Sequence, residues 1–277
     1  MYYLKNNTSS QDHNIVVYLN DIGKDDIIKE IYKGLYAKQK FLSPKFFYDK
    51  KGTELFEMIT QLEEYYPNRT EKSILLNIVE KLNFKFENST IIELGSGDSS
   101  KISMLFKQIP KELLSSINYF ATDISISAIE KSIANLSQEF PLKNIKGIAI
   151  DFFYQLNKIP QKENRLFCFF GSTIGNFKFL ELAKFMLVLG NEMNKGDSLL
   201  LGLDMMKEIS IIEKAYNDKK GVTAEFNKNI LNVVNKLIKS DFNTHDFFHY
   251  AFFNKQKSRI EMHLKALKDL EINSELK

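Results

Sequence analysis

The stretch TIIELGSGDSS, Thr90 to Ser100, has the residue types and spacing of a ligand-binding turn. An apolar run ends at Leu94, breaks at Gly95-Ser96-Gly97-Asp98 and gives way to a helical pattern at Ser99 or Ser100. Two glycines let the backbone turn sharply and approach a ligand, because no Cβ intervenes. A helix start adds amide donors and a positive dipole end. Carboxylate or ribose oxygens suit such a place, while Glu93 beside it is expected to repel a phosphate. The turn therefore reads as a nucleoside site without a pyrophosphate. The plain alternative is an ordinary glycine-rich turn in an α/β protein.

Other chemistry-bearing residues stand at the ends of the apolar runs that follow. Asp123 comes roughly 30 residues after the glycines, where a carboxylate can accept both hydroxyls of a ribose. Its alternative is a solvated helix cap. Asp151-Phe152 pairs a carboxylate with a ring and suits an adenine amino group and ring face; the alternative is a loop Asp beside a core Phe. Lys101 could reach a ligand carboxylate, or simply be an exposed helical lysine. Gly171-Ser172-Thr173-Ile174-Gly175-Asn176 crowds two glycines, two hydroxyls and an amide at the end of an apolar strand. Asn176 both donates and accepts, which suits a zwitterionic amino acid. Tyr48, Tyr65 and Tyr66 lie in aromatic loops nearer the N-terminus.

The third glycine of the dinucleotide fingerprint is missing, since Lys101 and Ile102 follow Ser100. The E-x-G-x-G turn instead resembles motif I of class I S-adenosylmethionine-dependent methyltransferases. Methyl transfer from a sulfonium is an in-line displacement in which positive charge leaves the donor. It needs positioning, desolvation and a neutral amine more than acid–base groups. Aromatic rings and tyrosine oxygens near the methyl group suit that chemistry.

The elements that must position these groups follow a βα rhythm. Strands are predicted at 90–94, 119–122, 145–150, 166–170 and 198–203, with helices at 100–108, 127–138 and 179–194 between them. The runs IIEL, LFCFF and SLLLGL read as parallel strands covered on both faces. Five such strands make an open twisted sheet with ligands at its carboxyl ends. Before it, helices are expected at 24–39, at 53–62 with Thr53 as N-cap, and from Thr70-Glu71 onward. After it, helices at 207–216 and 224–238 precede an antiparallel pair, THDFFHYAFFN and SRIEMHLKAL. The expected organisation is an α/β chain. Residues 1–70 form the N-terminal helical part of a second, substrate-binding lobe, 71–205 a Rossmann-like domain, and 206–277 the helices and hairpin of that second lobe.

Composition excludes several function classes. The formal charge of +3 over 277 residues, with lysines scattered among acidic residues, offers no basic stripe for nucleic acid. No apolar run nears the roughly 20 residues of a membrane helix, and the polar N-terminus lacks the apolar core of a signal peptide. One cysteine, Cys168, excludes an internal disulfide framework and points to a reducing, cytoplasmic setting. His13, His245, His249 and His263 are too dispersed to argue for a metal.

At greater length the sequence resembles the histidine Nα-methyltransferase family, the first enzyme of ergothioneine biosynthesis. The resemblance runs from about Leu42 to Leu267. Its landmarks are SPKFFYDKKGTELFEMITQLEEYYPNRTE, ELGSG, FFGSTIGNF, GDSLLLGLD, AYNDKKGVTAEFNKNIL and RIEMHL. It implies a class I methyltransferase sheet with a substrate lobe, and S-adenosylmethionine held by Gly95, Ser96, Lys101, Asp123, Asp151 and Phe152. It implies that Tyr65, Asn176 and Tyr216 hold the carboxylate and amine of a small amino-acid substrate. Tyr48 would sit beside the reacting amine, and Gly171, Thr223 and Met262 would line the pocket. The implied reaction is threefold methylation of the histidine α-amine to hercynine.

Two departures qualify the resemblance. The family continues past RIEMHL with a G-E-x-x-x-x-E-x-S-x-K stretch that grips the imidazole and with the last two strands of its sheet. The sequence runs to Lys277, ten residues after Leu267, and those C-terminal strands are expected to be missing from it. A truncated gene, a second chain completing that part, or an altered amino-acid or small-amine specificity are the expectations this opens; a non-catalytic cofactor-binding module is the reading from a different class. The family also has Gly where Ile150 stands, which is expected to crowd the adenine side. A nucleic-acid methyltransferase is disfavoured, because the amino-group signature N-P-P-[FY] is absent.

Overall fold

A computed structural model of the chain describes residues 14–19, 23–151 and 154–275. The described residues divide into two compact units, one holding 14–19 and 67–204 and the other 23–66 and 205–275.

The first unit is built on the apolar runs. They form β2 (Thr90–Leu94), β3 (Asn118–Asp123), β4 (Asn144–Ala149), β5 (Arg165–Phe169) and β6 (Ser198–Leu201), all parallel. A sixth strand, β1 (Ile15–Val17), pairs in parallel with β4, giving the order β1-β4-β3-β2-β5-β6. Counted from the glycine-turn strand, the five strands β2 to β6 run 3-2-1-4-5, so the order reverses at β2. The fold is the α/β, Rossmann-like sheet that the βα rhythm predicts.

Two readings of the strands change. Ile15–Val17 joins this sheet rather than the 1–70 helical part. Gly147 admits it, because a Cβ there would stand 3.1 Å from Ile15 and 2.3 Å from Ile129. The SLLLGL run is not doubly covered. β6 lies at the sheet edge with every residue half-buried, whereas β2 and β5 are buried throughout. An apolar run alone does not distinguish an edge from a centre.

Helices α4 (Ser100–Phe106), α5 (Lys111–Leu114), α6 (Ile126–Glu139) and α7 (Phe179–Glu192) connect the strands, and α3 (Tyr66–Leu75) precedes them. The core gathers Ile92, Leu94, Phe120, Ile148, Phe167 and Phe169. Each such side chain contributes about 1.5–3 kcal/mol on burial. Arg165 is also fully buried. Its Nε and Nη2 donate to Asp197 Oδ2 at 2.9 and 2.6 Å, and its main-chain N–H donates to Oδ1 at 2.9 Å.

The second unit is organised on α9 (Val222–Ile238), the longest helix described. Its apolar face packs on Ile27 and Ile31 of α1 (Lys24–Leu35), and Phe226 packs on α2 (Lys50–Thr60). Asp49, not Thr53, caps α2: Oδ1 accepts from the Gly52 N–H and from Asn229 Nδ2 of α9, both at 2.8 Å. A carboxylate four residues earlier, anchored from another helix, starts the helix sooner than the hydroxyl could. α8 (Ile209–Ala215) and an antiparallel hairpin, β7 (Phe247–Asn254) and β8 (Arg259–Ala266), complete the unit.

Candidate active site

The glycine turn after β2 takes a left-handed course that explains its composition. Gly95 and Gly97 have φ of +77° and +49°, where a side chain is strained. An ideal Cβ on either would meet no heavy atom within 4 Å, so the space before the turn is open.

Five of the amides expected to be free are already paired. Gly95 and Ser96 N–H donate to Thr122 O, Gly97 N–H to Asp123 Oδ2, Ser99 N–H to Ser96 O and Ser100 N–H to Asp98 Oδ1. α4 is seven residues long, and the side chain of its N-cap residue, Ser99, makes no capping hydrogen bond. What the turn offers instead is the Ser96 hydroxyl, buried and without a hydrogen-bond partner among the described residues. A buried hydroxyl facing no partner is costly unless a ligand supplies one. An open face beside one unsatisfied polar atom fits a nucleoside of the S-adenosylmethionine type.

Two carboxyl groups flank the turn. Asp123 at the end of β3 accepts from Gly97 N–H at 3.2 Å and Ser125 N–H at 2.9 Å. Burial raises its pKa above the ordinary carboxylate value, against those hydrogen bonds. A carboxylate has about four acceptor sites, so capacity for ribose hydroxyls remains. Glu93 behaves otherwise than expected. It is buried, accepts from the Tyr119 hydroxyl at 2.5 Å, and burial raises its pKa to about 8. Largely uncharged at neutral pH, it gives no repulsion, so the argument against a phosphate loses its force.

Asp151 is buried just past β4, where its N–H donates to Gln155 Oε1 at 3.0 Å and Gln155 Nε2 donates to Tyr18 O at 2.5 Å. Phe152 lies outside the described residues. Ile150 packs fully buried in the core with Ile92 and Phe167, so its side chain is spent on packing.

After β5 the chain turns through two left-handed residues, Gly171 at φ +79° and Ser172 at φ +53°. Ser172 Oγ accepts from Asp204 N–H at 2.5 Å, which holds the second of these in place. The turn Thr173–Asn176 follows and leaves Asn176 exposed. Lys101 is not a free surface lysine: its Nζ lies 2.8 Å from Glu71 Oε2. Both Glu71 oxygens accept from the Gly171 N–H at 2.9 Å. Sequence reading took Glu71 only as a helix opener; 100 residues separate it from Gly171, and no local spacing announces the contact.

In the second unit the predicted tyrosines come together. Tyr48 stands 5.8 Å, ring to ring, from both Phe56 and Phe226. Phe56 stands 6.3 Å from Tyr65, which stands 6.1 Å from Tyr216. Met262 of β8 packs in the same cluster. Thr223 is buried in the first turn of α9, its N–H donating to Asp218 Oδ1 at 2.7 Å.

The hairpin fixes Tyr216. His249 Nε2 bonds to Tyr216 O at 2.8 Å, and Asn227 Nδ2 bonds to His249 Nδ1 at 2.9 Å. Since Asn227 Nδ2 donates, His249 is neutral with its proton on Nε2; burial lowers its pKa, in the same sense. Nothing in the spacing marks Asn227, and His249 enters the sequence reading only among the four histidines too dispersed to argue for a metal.

Comparison with known proteins supplies the family. Residues 27–277 match the family described as histidine-specific methyltransferase, SAM-dependent. The histidine N-alpha-methyltransferase of Mycobacterium tuberculosis is 39% identical over 246 residues, covering 89% of this chain and 76% of that one. The histidine N-alpha-methyltransferase of Mycolicibacterium smegmatis is 39% identical over 247 residues with the same coverage. Ergothioneine biosynthesis protein 1 of Neurospora crassa is 33% identical over 198 residues, 69% of this chain and 22% of that one. On these matches, of which the family match over residues 27–277 takes in the glycine turn and the tyrosine cluster alike, the chain belongs to the family of histidine-specific, S-adenosylmethionine-dependent methyltransferases.

Proposed function

We propose that the protein transfers methyl groups from S-adenosylmethionine to the α-amine of histidine, three times in succession, to give hercynine. The observation that carries this reading is the open turn at Gly95 and Gly97 beside the Ser96 hydroxyl, unpartnered among the described residues, in a chain matching two histidine N-alpha-methyltransferases over 89% of its length.

Gly95 and Ser96 would seat the nucleoside, Asp123 the ribose hydroxyls, Asp151 and Phe152 the adenine, and Lys101 the carboxylate of the donor's amino-acid tail. The donor, when bound, supplies an electrophilic methyl on a sulfonium. On the family resemblance, Gly171, Asn176, Tyr65, Tyr216, Thr223 and Met262 would hold the amino acid. Tyr48 would sit beside the reacting amine. Each transfer breaks a sulfur–carbon bond and forms a nitrogen–carbon bond. After the first and second, a proton must leave the nitrogen to restore its lone pair; after the third, the charge is permanent. Aromatic faces favour a cation that grows more substituted, and the rings of Tyr48, Phe56, Tyr65 and Tyr216 are the groups that could provide them.

The same reading makes the partner a small amino acid rather than nucleic acid or membrane, and the setting cytoplasmic. A net charge of +3 supports it, and no described helix is long and apolar enough to cross a membrane. A second chain that supplies imidazole contacts stands with the proposal.

Incubation with S-adenosylmethionine and histidine, followed by mass spectrometry, tests it. Products heavier by one, two and three methyl groups are expected. Donor binding without mass gain on histidine would refute the histidine reading and direct the search to other amines.

A further inference from the structure

Resting on the proposed function, one residue outside the sets above has a role its contacts define. Glu71 is a helical side chain only 15% exposed. One oxygen meets the Lys101 ammonium at 2.8 Å, and both accept from the Gly171 N–H at 2.9 Å. A Cβ on Gly202 would lie 1.9 Å from Oε1, so the chain just past β6 is cut back to admit this carboxylate. A single group thus ties the first turn of α4 to the end of β5 and lies close against the chain past β6. Lys101 has three N–H donors and gives one to Glu71, which leaves two. A lysine without such an anchor samples many rotamers and loses that freedom on binding.

We propose that Glu71 is a positioning residue for the donor's amino-acid tail: it holds the Lys101 ammonium beside Gly171 so that the two remaining donors meet the tail carboxylate. Glu71 is itself an anion and opposes a second one nearby. Placement outweighs that repulsion, because Lys101 neutralises Glu71 and the Gly171 N–H fixes it on its other side.

Calorimetry with two ligands separates this from a merely structural role. S-adenosylhomocysteine carries the amino-acid tail; 5′-methylthioadenosine is the same nucleoside thioether without it. In Glu71→Gln, S-adenosylhomocysteine should bind about tenfold more weakly, the size of one charge-assisted hydrogen bond. Methylthioadenosine should stay within about twofold in the same variant, since it has no carboxylate to lose. Lys101→Met should show the same selective loss, and the double variant should bind no worse than Lys101→Met alone, because residues acting as a unit are not additive. Glu71→Asp keeps the charge one methylene short and should also lose the selectivity. Equal losses for both ligands, unchanged or tighter binding of S-adenosylhomocysteine, additive losses, or wild-type selectivity in Glu71→Asp would each overturn the proposal. Failure of the wild-type protein to bind either ligand would instead refute the proposed function.

Discussion

The hydroxyl of Tyr119 donates to the Glu93 carboxyl at 2.5 Å between neighbouring strands, where both groups are buried. Burial holds Glu93 at about 8, well above its ordinary 4.5. The folded protein therefore binds a proton there that the unfolded chain has released. The stability this group contributes is complete below pH 4.5 and is lost as pH rises through about 8. The decline within that window is about 1.4 kcal/mol per pH unit. Glu93→Gln keeps an acceptor for Tyr119 without a charge. Urea melts at several pH values should show a shallower decline for the variant than for the wild type; parallel curves would show that Glu93 does not titrate in this range.

The Arg165–Asp197 pair is a different case, because hydrogen bonds from Arg165 favour the charged Asp197 carboxylate. The side chains are 0% and 1% exposed, and Asp197 lies below its ordinary value: burial opposes this, but hydrogen bonds from Arg165 and Asn194 outweigh it. Asp197→Ala leaves a buried guanidinium with no counter-charge. A loss of about 3–5 kcal/mol is expected, read as a lower urea midpoint. A loss below about 1 kcal/mol, typical of exposed pairs, would mean that water reaches Arg165.

His249 should titrate below the ordinary histidine value of 6.5, as burial and the Asn227 hydrogen bond dictate. Its contribution to stability is present above pH 6.5 and is lost as pH falls through its folded value. Carbon–proton NMR of the imidazole resonances gives the midpoint directly, and a value above 6.5 would contradict the hydrogen-bond directions assigned here. His249→Ala releases the Tyr216 carbonyl and is expected to raise KM for histidine more than KM for the donor.

Substrate and donor residues should separate in kinetics. Asn176→Ala and Tyr216→Phe are expected to raise KM for histidine about tenfold, as loss of a polar contact does. Asp123→Asn should instead weaken the donor, measured as the Kd of S-adenosylhomocysteine. Tyr48→Phe should lower kcat with little change in either KM. A Tyr48→Phe enzyme with wild-type kcat would remove Tyr48 from the reaction.

Much of the sheet was legible because it is written locally. The run Thr90–Leu94 followed by Gly95-Ser96-Gly97 specifies a strand and a left-handed turn within eight residues. Edge position was not legible: Ser198–Leu201 is as apolar as a central strand, and only its neighbours decide its exposure. Nor was the strand at Ile15–Val17 assigned to the sheet, since its partner lies more than a hundred residues away at Gly147.

The sequence by itself determined the glycine turn, the carboxylates at the strand ends and the family to which these motifs point, because each is a matter of residue type at short spacing. Tertiary structure alone decided which groups are charged, anchored or satisfied. Glu93 is buried against Tyr119, Lys101 is tied to Glu71, and the amides of the glycine turn are consumed by Thr122 and Asp123. The physical reason is that desolvation and hydrogen-bond pairing depend on neighbours in space, and those neighbours come from distant parts of the chain.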